Sequence, residues 1–176
     1  TVGYPFVPHE GVLWALRVVL AVSLVLHVTC GLILWARGRK ARGPHRRRRT
    51  SWRAAGALTM VPTGLLLLAF VIVHVLDLTT GHLGAASFRP ADGDGSHAYA
   101  NLVASFSRPA YALGYLVAML MLALHLAQGL WSVLHDLGGT APRLRRIWVG
   151  VGAAVVLAIT LVNSSLPIAV WAGWLS

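Results

Sequence analysis

Four long apolar stretches constrain this chain of 176 residues more than any other feature. They run over about 12–35, 57–78, 110–134 and 147–171, and each can cross a hydrocarbon core of ~30 Å as a helix rising ~1.5 Å per residue. Barrel strands are excluded, because a spanning strand needs only about ten residues and alternates in polarity. We therefore expect an all-α transmembrane bundle, with four spanning helices in a single membrane domain over residues 1–176.

Composition and charge agree with a membrane location. The chain is 57% hydrophobic and only 11% charged, with a mean hydropathy of +0.70, which excludes an ordinary soluble domain. Nine of the fifteen basic residues lie within 37–53, and three more lie within 143–146, between the third and fourth stretches. Both connections are therefore expected on the cytoplasmic side, and segment 79–109 and both chain ends on the outer side. The net charge of +10 then reflects topology and contact with anionic lipid, rather than nucleic acid, with docking of an acidic partner as the lesser alternative.

Three histidines, His27, His74 and His125, each lie inside a different apolar stretch. Ionisable side chains at membrane depth are rare and costly, so each marks a candidate site. Imidazole is a common axial ligand of haem iron, which can join two helices through its two faces. The alternative is an interhelical hydrogen bond, donated by the imidazole to a backbone carbonyl or a serine. The single cysteine, Cys30, excludes an internal disulfide or a cysteine-ligated cluster.

Helical rise predicts the depths of these histidines. His27 lies ten residues before Arg37, or ~15 Å of helix, and His125 lies ~16 Å before the inner end of its own helix. His74 lies twenty-one residues beyond Arg53, or ~31 Å, and so near the outer side. The sequence therefore predicts one complete histidine pair, His27 with His125, at an inner haem, and one further ligand, His74, at an outer haem.

Four glycines lie where a flat macrocycle would need surfaces without side chains. Gly31 and Gly129 follow the inner histidines by four residues and share their helix faces. Gly64 falls at the depth of the inner pair, and Gly114 near the depth of His74. We predict that these glycines contact haem, although close helix packing is the ordinary use of glycine in membranes.

Two charged residues near the outer ends of helices are further candidates. Arg17 could neutralise haem propionates or assist quinone, or it could simply extend to the outer headgroups. Asp77 could relay a proton to quinone, or simply mark the end of its helix. The remaining histidines are expected to be solvated or interfacial, with His82 as a reserve ligand for the outer site: His9, His45, His82, His97 and His135.

At this point several motifs resemble a known family. They are LHLAQGLWS around His125, TMVPTGLLLLAFVIVHVLDLT around His74, VLWALRVVL with Trp14 and Arg17, HAYANLVASF with Asn101, and LVNSSLPIAV with Asn163 and Pro167. Together these motifs, which span almost all of the chain, resemble the two-haem, single-subunit cytochrome b anchors of succinate dehydrogenases and fumarate reductases, of the actinobacterial type.

The resemblance implies a membrane-anchor and electron-transfer subunit of succinate:quinone oxidoreductase, which does not itself oxidise succinate. It implies two haems b, a quinone that is expected to be menaquinone, and a multi-pass place in the bacterial cytoplasmic membrane. Implied partners are a flavoprotein subunit, an iron–sulfur subunit and membrane lipid. The family has five helices, so a further N-terminal helix, absent from this sequence, would supply the second ligand of the outer haem.

The sequence departs from the family at two places. Val61 and Pro62 replace the basic and aromatic residues usual before the Thr-Gly pair, which removes one expected propionate anchor. Gln128 stands where many relatives have a second histidine, which leaves His125 as the candidate ligand on its helix. Two other function classes stay open: a bis-histidine cytochrome b of a hydrogenase or formate dehydrogenase, and a haem-free anchor or transporter.

Overall fold

The computed structural model describes residues 11–42, 52–90, 97–138 and 141–175. Within these ranges the chain is helical and contains no strand, and a π-helical turn, Val75–Thr79, continues the second helix. The helices are α1 (Gly11–Arg42), α2 (Trp52–His74), α3 (Ala98–Phe106), α4 (Pro109–Asp136) and α5 (Pro142–Trp171). Four of them, all but α3, are long and apolar enough to span a membrane. The prediction of an all-α bundle with four spanning helices is confirmed.

The predicted boundaries are close for α4 and too short at one end for the other three spans, of which α2 begins at Trp52, before the expected start near 57. Helix α1 continues to Arg42, beyond the expected end near residue 35, and α5 begins at Pro142, before the expected start near 147. Both extensions carry basic residues. The helices can continue over them because long cationic side chains stay in a helix while their charges reach water. Helix α3, inside the segment expected to connect two spans, was not predicted.

The chain comprises two compact units, Thr1–Arg49 and Thr50–Ser176. The first contains α1, which carries an arginine over a tryptophan near each end. The guanidinium of Arg17 lies 4.9 Å from the ring of Trp14, and that of Arg39 lies 4.8 Å from the ring of Trp35. Such pairs suit the two interfaces of a membrane span, where aromatic rings and cations meet headgroups. The expectation of a single domain stays a prediction.

In the second unit α4 is the central helix. It packs against α2 on one side and α5 on the other, and α3 contacts the π turn, α4 and α5. Ala112, Tyr115, Ala118 and Met119 of α4 are buried, and their spacing of three or four residues places them on one helix face. The tightest packing therefore lies in the first half of α4, at the end of the unit that holds α3, which we call the distal end.

Hydrogen bonds and one glycine order the distal end. The Asn101 side chain accepts a hydrogen bond from the Arg89 backbone N–H at 3.0 Å and donates one to the Arg89 carbonyl at 2.7 Å. Gly81 has φ +74°, and a Cβ there would lie 2.2 Å from Cδ1 of Phe88. Only glycine suits both that conformation and that contact. The described residues 80–90 of the segment before α3 are therefore bonded to α3 and closely packed at Gly81.

Candidate functional site

His125 lies against α2 at the point where α2 presents a threonine and a glycine. The Nδ1 atom of His125 is 3.1 Å from Oγ1 of Thr63, a side chain only 5% exposed. A Cβ added at Gly64 would lie 3.1 Å from Cε1 of His125, which is tighter than ordinary contact. Glycine at 64 therefore lets the imidazole lie directly on the backbone of α2. We call His125, Thr63 and Gly64 the His125 level.

The contacts of the Thr63 hydroxyl favour one tautomer of His125. Its Oγ1 lies 2.7 Å from the carbonyl of Thr59 and 3.1 Å from that of Met60, and both oxygens only accept hydrogen bonds. The single hydroxyl hydrogen is therefore directed at its own helix. A hydroxyl used in this way accepts from His125, which favours the tautomer with the hydrogen on Nδ1 and the lone pair on Nε2.

His74 occupies a second level, where α2 meets the start of α4. Its Nδ1 atom lies 3.2 Å from the hydroxyl oxygen of Tyr115. The Tyr115 ring is held edge-on by Phe106, with centroids 4.8 Å apart, and by Phe70, at 5.0 Å. These contacts fix the position of the phenol oxygen beside His74. We call His74, Tyr115, the carboxylate of Asp77 to which that phenol bonds, and the two residues bonded to Asp77, Ser105 and Arg108, the His74 level.

A buried carboxylate lies behind Tyr115. Asp77, in the π turn, is 0% exposed and forms an ion pair with Arg108. It also accepts hydrogen bonds from the hydroxyl of Ser105 and, at 3.3 Å, from that of Tyr115. The wider turn of a π-helix, common at functional sites, ends α2 here and contains this carboxylate.

Arg108 is itself held by more than Asp77. Its Nη1 donates to the carbonyl of Leu83 at 2.9 Å, and its guanidinium lies 3.5 Å from the ring centroid of Tyr111. The guanidinium therefore links the loop before α3 to the start of α4. A carboxylate with an ion pair and hydroxyl donors is satisfied in the way that a buried charge requires.

The same reasoning assigns the tautomer of His74. A carboxylate is a charged acceptor and bonds more strongly than a neutral imidazole, so the one phenol hydrogen of Tyr115 is directed at Asp77. The phenol oxygen then accepts from His74, which places the hydrogen on Nδ1 and the lone pair on Nε2. Nε2 of His74 makes no hydrogen bond to a described residue of α2 to α5. His74 is also exposed.

The two levels are well separated along the antiparallel pair of α2 and α4. Thr63 and His74 are eleven residues apart on α2, or ~16 Å, and Tyr115 and His125 are ten apart on α4, or ~15 Å. The agreement of the two values shows that the helices run side by side over this length. Each histidine bonds to a residue at its own depth on the facing helix.

The other residues proposed from the sequence are placed as follows. His27 and Gly31 lie on α1, in the first unit, so the pairing of His27 with His125 stays a prediction. A Cβ at Gly114 or Gly129 would meet no atom of the second unit within 4 Å, so both glycines border open space there.

His82 bonds to Thr80 in the exposed distal loop. The structures of His9 and His45 and the side chain of His135 lie outside the described residues.

The sequence reasoning missed three residues of the His74 level: Ser105, Arg108 and Tyr115. One signal could have found Arg108. A carboxylate inside a membrane span requires a cation, and Arg89 and Arg108 are the two basic residues of the segment that follows Asp77. Nothing local in the sequence marks Ser105 or Tyr115 as its further donors.

Among the described residues, no three His, Cys, Asp or Glu side chains are grouped so that they could hold a bare metal ion. His74 and His125 instead lie singly on separate levels, an arrangement that would suit a metal carried in a ring. No family model, no curated protein and no solved structure matches the chain.

Proposed function

We propose that this chain binds b-type haem at two levels and serves as the membrane-anchor, electron-transfer subunit of a succinate:quinone oxidoreductase. The observation that carries the haem proposal is shared by His125 and His74. Each imidazole holds its Nδ1 atom within hydrogen-bond distance of a hydroxyl on the facing helix, at 3.1 Å for His125 and 3.2 Å for His74, and an Nδ1–H donated there would leave the lone pair on Nε2. Histidines that ligate metals almost always donate their other ring N–H in this way.

A purely structural histidine does not need this arrangement. An interhelical hydrogen bond offsets the free-energy cost of burying an imidazole equally well through either ring nitrogen, and with the imidazole as donor or as acceptor. Here two histidines on different helices both place Nδ1 beside a hydroxyl of the facing helix, one on a threonine and one on a tyrosine. That coincidence favours ligation over packing alone.

The surroundings also fit a flat ring beside each imidazole. Gly129, one turn from His125, and Gly114, beside Tyr115, border open space in the second unit. The spanning helices expose many large apolar residues, among them Leu113, Val117 and Leu124 of α4, which suits porphyrin edges as well as lipid tails. On sequence grounds His27 is the partner of His125, and Arg17 is the candidate for propionate or quinone. Bound haem b would supply one-electron transfer between an iron–sulfur donor and quinone.

The assignment to succinate:quinone oxidoreductase is supported by the sequence motifs quoted above, which include Thr63, Gly64, Phe70 and His74. Three of these four residues are in contact with a histidine or with the Tyr115 ring, and His74 is itself a proposed ligand. The implied flavoprotein and iron–sulfur subunits would dock at the end that carries the basic loops, with menaquinone as the acceptor in the bacterial cytoplasmic membrane.

Haem quantitation with histidine variants tests the haem proposal. Membranes containing the complete protein should show a reduced-minus-oxidised b-haem band. His125→Ala should remove one component of that band, and His74→Ala should remove the other, because each deletes one axial ligand. His97→Gln, which changes a histidine just before α3, should keep both. A wild-type protein with no haem band, or His variants that both retain a full band, would contradict the proposal.

Co-purification tests the choice of partner. A tagged chain should retain a subunit that carries covalently bound flavin, together with an iron–sulfur subunit, and the complex should reduce quinone with succinate. A haem-containing chain that instead retains a nickel- or molybdenum-containing subunit would assign it to a hydrogenase or formate dehydrogenase and overturn this part of the proposal.

A further inference from the structure

We infer that Asp77 and Tyr115 are positioning residues for the outer haem ligand: the buried carboxylate orients the Tyr115 hydroxyl, and that hydroxyl orients and polarises His74. The inference rests on the proposed function, in which Nε2 of His74 binds haem iron. It adds a role for residues that do not touch the cofactor.

Asp77 does not depend on Tyr115 for its own stability. Its carboxylate is already paired with Arg108 and bonded to the Ser105 hydroxyl. Arg108 is oriented in turn by the Leu83 carbonyl and the Tyr111 ring. The charge of Asp77 is thus fixed in place by groups on the loop, α3 and the start of α4. The hydrogen bond from Tyr115 is an additional contact, which connects this fixed charge to the histidine.

Tyr115 has little freedom to turn elsewhere. The side chain is 7% exposed, and Phe106 and Phe70 contact its ring edge-on at 4.8 Å and 5.0 Å. Its hydroxyl oxygen lies within 3.3 Å of both Asp77 Oδ2 and His74 Nδ1. Because the phenol donates to the carboxylate, it is a stronger acceptor for the His74 N–H than an isolated phenol would be.

The consequence for His74 is chemical as well as geometric. A hydrogen bond accepted from Nδ1–H orients the ring and raises the basicity of the ligating Nε2. A more basic axial imidazole stabilises ferric more than ferrous iron and lowers the reduction potential. His125 lies instead beside the Thr63 hydroxyl, which bonds to a neutral backbone carbonyl, whereas the Tyr115 hydroxyl bonds to a carboxylate. The two levels should therefore respond to different substitutions.

The test is Tyr115→Phe in the complete complex, compared with Tyr111→Phe. The first removes only the hydroxyl that His74 and Asp77 share and keeps the ring against Phe70 and Phe106. The second removes a phenol hydroxyl one turn away on α4 and keeps the ring under Arg108. In Tyr115→Phe we expect outer-haem affinity to fall by about 10- to 100-fold and its midpoint potential to rise, with the other haem unchanged. Tyr111→Phe should match the wild type.

Asp77→Asn provides the second variant, because it keeps the size of the side chain and the phenol but removes the negative charge. The outer potential should rise in this variant as well, by less than in Tyr115→Phe. Low-spin haem EPR should report the altered ligand field in both variants, a signal that loss of folding alone would not produce.

The outcomes separate the two proposals. Wild-type protein without haem would overturn the proposed function and this inference together. Wild-type protein with two haems, combined with a Tyr115→Phe variant of wild-type affinity, potential and EPR spectrum, would overturn this inference alone. A shift of the inner haem in Tyr115→Phe would also contradict it.

Discussion

At both histidine levels, Nδ1 of the imidazole lies beside a hydroxyl of the facing helix, but the two hydroxyls are held in different ways. At the His125 level, the imidazole meets a threonine hydroxyl that is bonded to its own helix and a glycine that lets the ring approach the α2 backbone. At the His74 level, the phenol that accepts from the histidine is bonded to an ion pair whose members lie 31 residues apart. The first arrangement is a property of one helix surface. The second exists only when the π turn, α3 and α4 have assembled.

This difference implies different costs of disruption. A neutral hydrogen bond contributes about 0.5–1.5 kcal/mol to stability, whereas removing one partner of a buried ion pair costs about 3–5 kcal/mol. Removal of the Arg108 charge should therefore lower stability strongly, whereas removal of the Thr63 hydroxyl should affect mainly the ligand.

The largest effect is expected for Arg108→Met, which leaves the Asp77 carboxylate buried without its cation. We expect a loss of about 3–5 kcal/mol in stability, seen as a lower unfolding temperature in detergent and less protein in the membrane. The double variant Asp77→Leu/Arg108→Met removes both charges and should recover much of that loss. A double variant that is even less stable than Arg108→Met would contradict this explanation, because it would show that the unpaired Asp77 carboxylate does not cause the loss of stability.

Gly64→Ala should have the next largest effect. The new Cβ would lie 3.1 Å from Cε1 of His125, so the imidazole and α4 must move away by a few tenths of an ångström. We expect a cost of about 1–3 kcal/mol and a weakened or shifted inner-haem band, with the outer haem retained. Gly150→Ala on α5, where a Cβ meets nothing within 4 Å, is the matched control and should be neutral. Equal effects of the two substitutions would contradict the close approach.

The smallest effect on stability is expected for Thr63→Val, which keeps the shape of the side chain but removes the acceptor for His125. The loss should be about 1 kcal/mol, with a selective rise in the potential of the inner haem. Ser165→Ala removes an exposed hydroxyl that bonds within α5 and serves as the control. An unchanged inner haem in Thr63→Val would show that Thr63 does not orient its ligand.

Regular features of the fold could be predicted from the sequence. Apolar length alone gave the four spans, because a helix is the spanning structure that satisfies its backbone within one segment. Counting helical rise also placed Gly64 at the depth of His125, and the structure brings the two into contact. Such arguments succeed where one helix has a constant rise and an adjacent helix runs antiparallel to it.

The His74 level could not be predicted in the same way. The π turn at Val75–Thr79 and the short helix α3 depend on tertiary contacts, since Asp77 is satisfied by Ser105 and Arg108 from a distant part of the sequence. Helical periodicity carries no information about which residues of a loop will meet a buried charge. The sequence marked Asp77 as unusual, but it could not show that the carboxylate bonds to the partner of His74.

The most direct test of the two-level account is a redox titration of the b-haem band in the complete complex, for the wild type, Thr63→Val and Tyr115→Phe. The account predicts two components, with Thr63→Val raising the potential of one and Tyr115→Phe raising the potential of the other. A single component, or two variants that shift the same component, would contradict it.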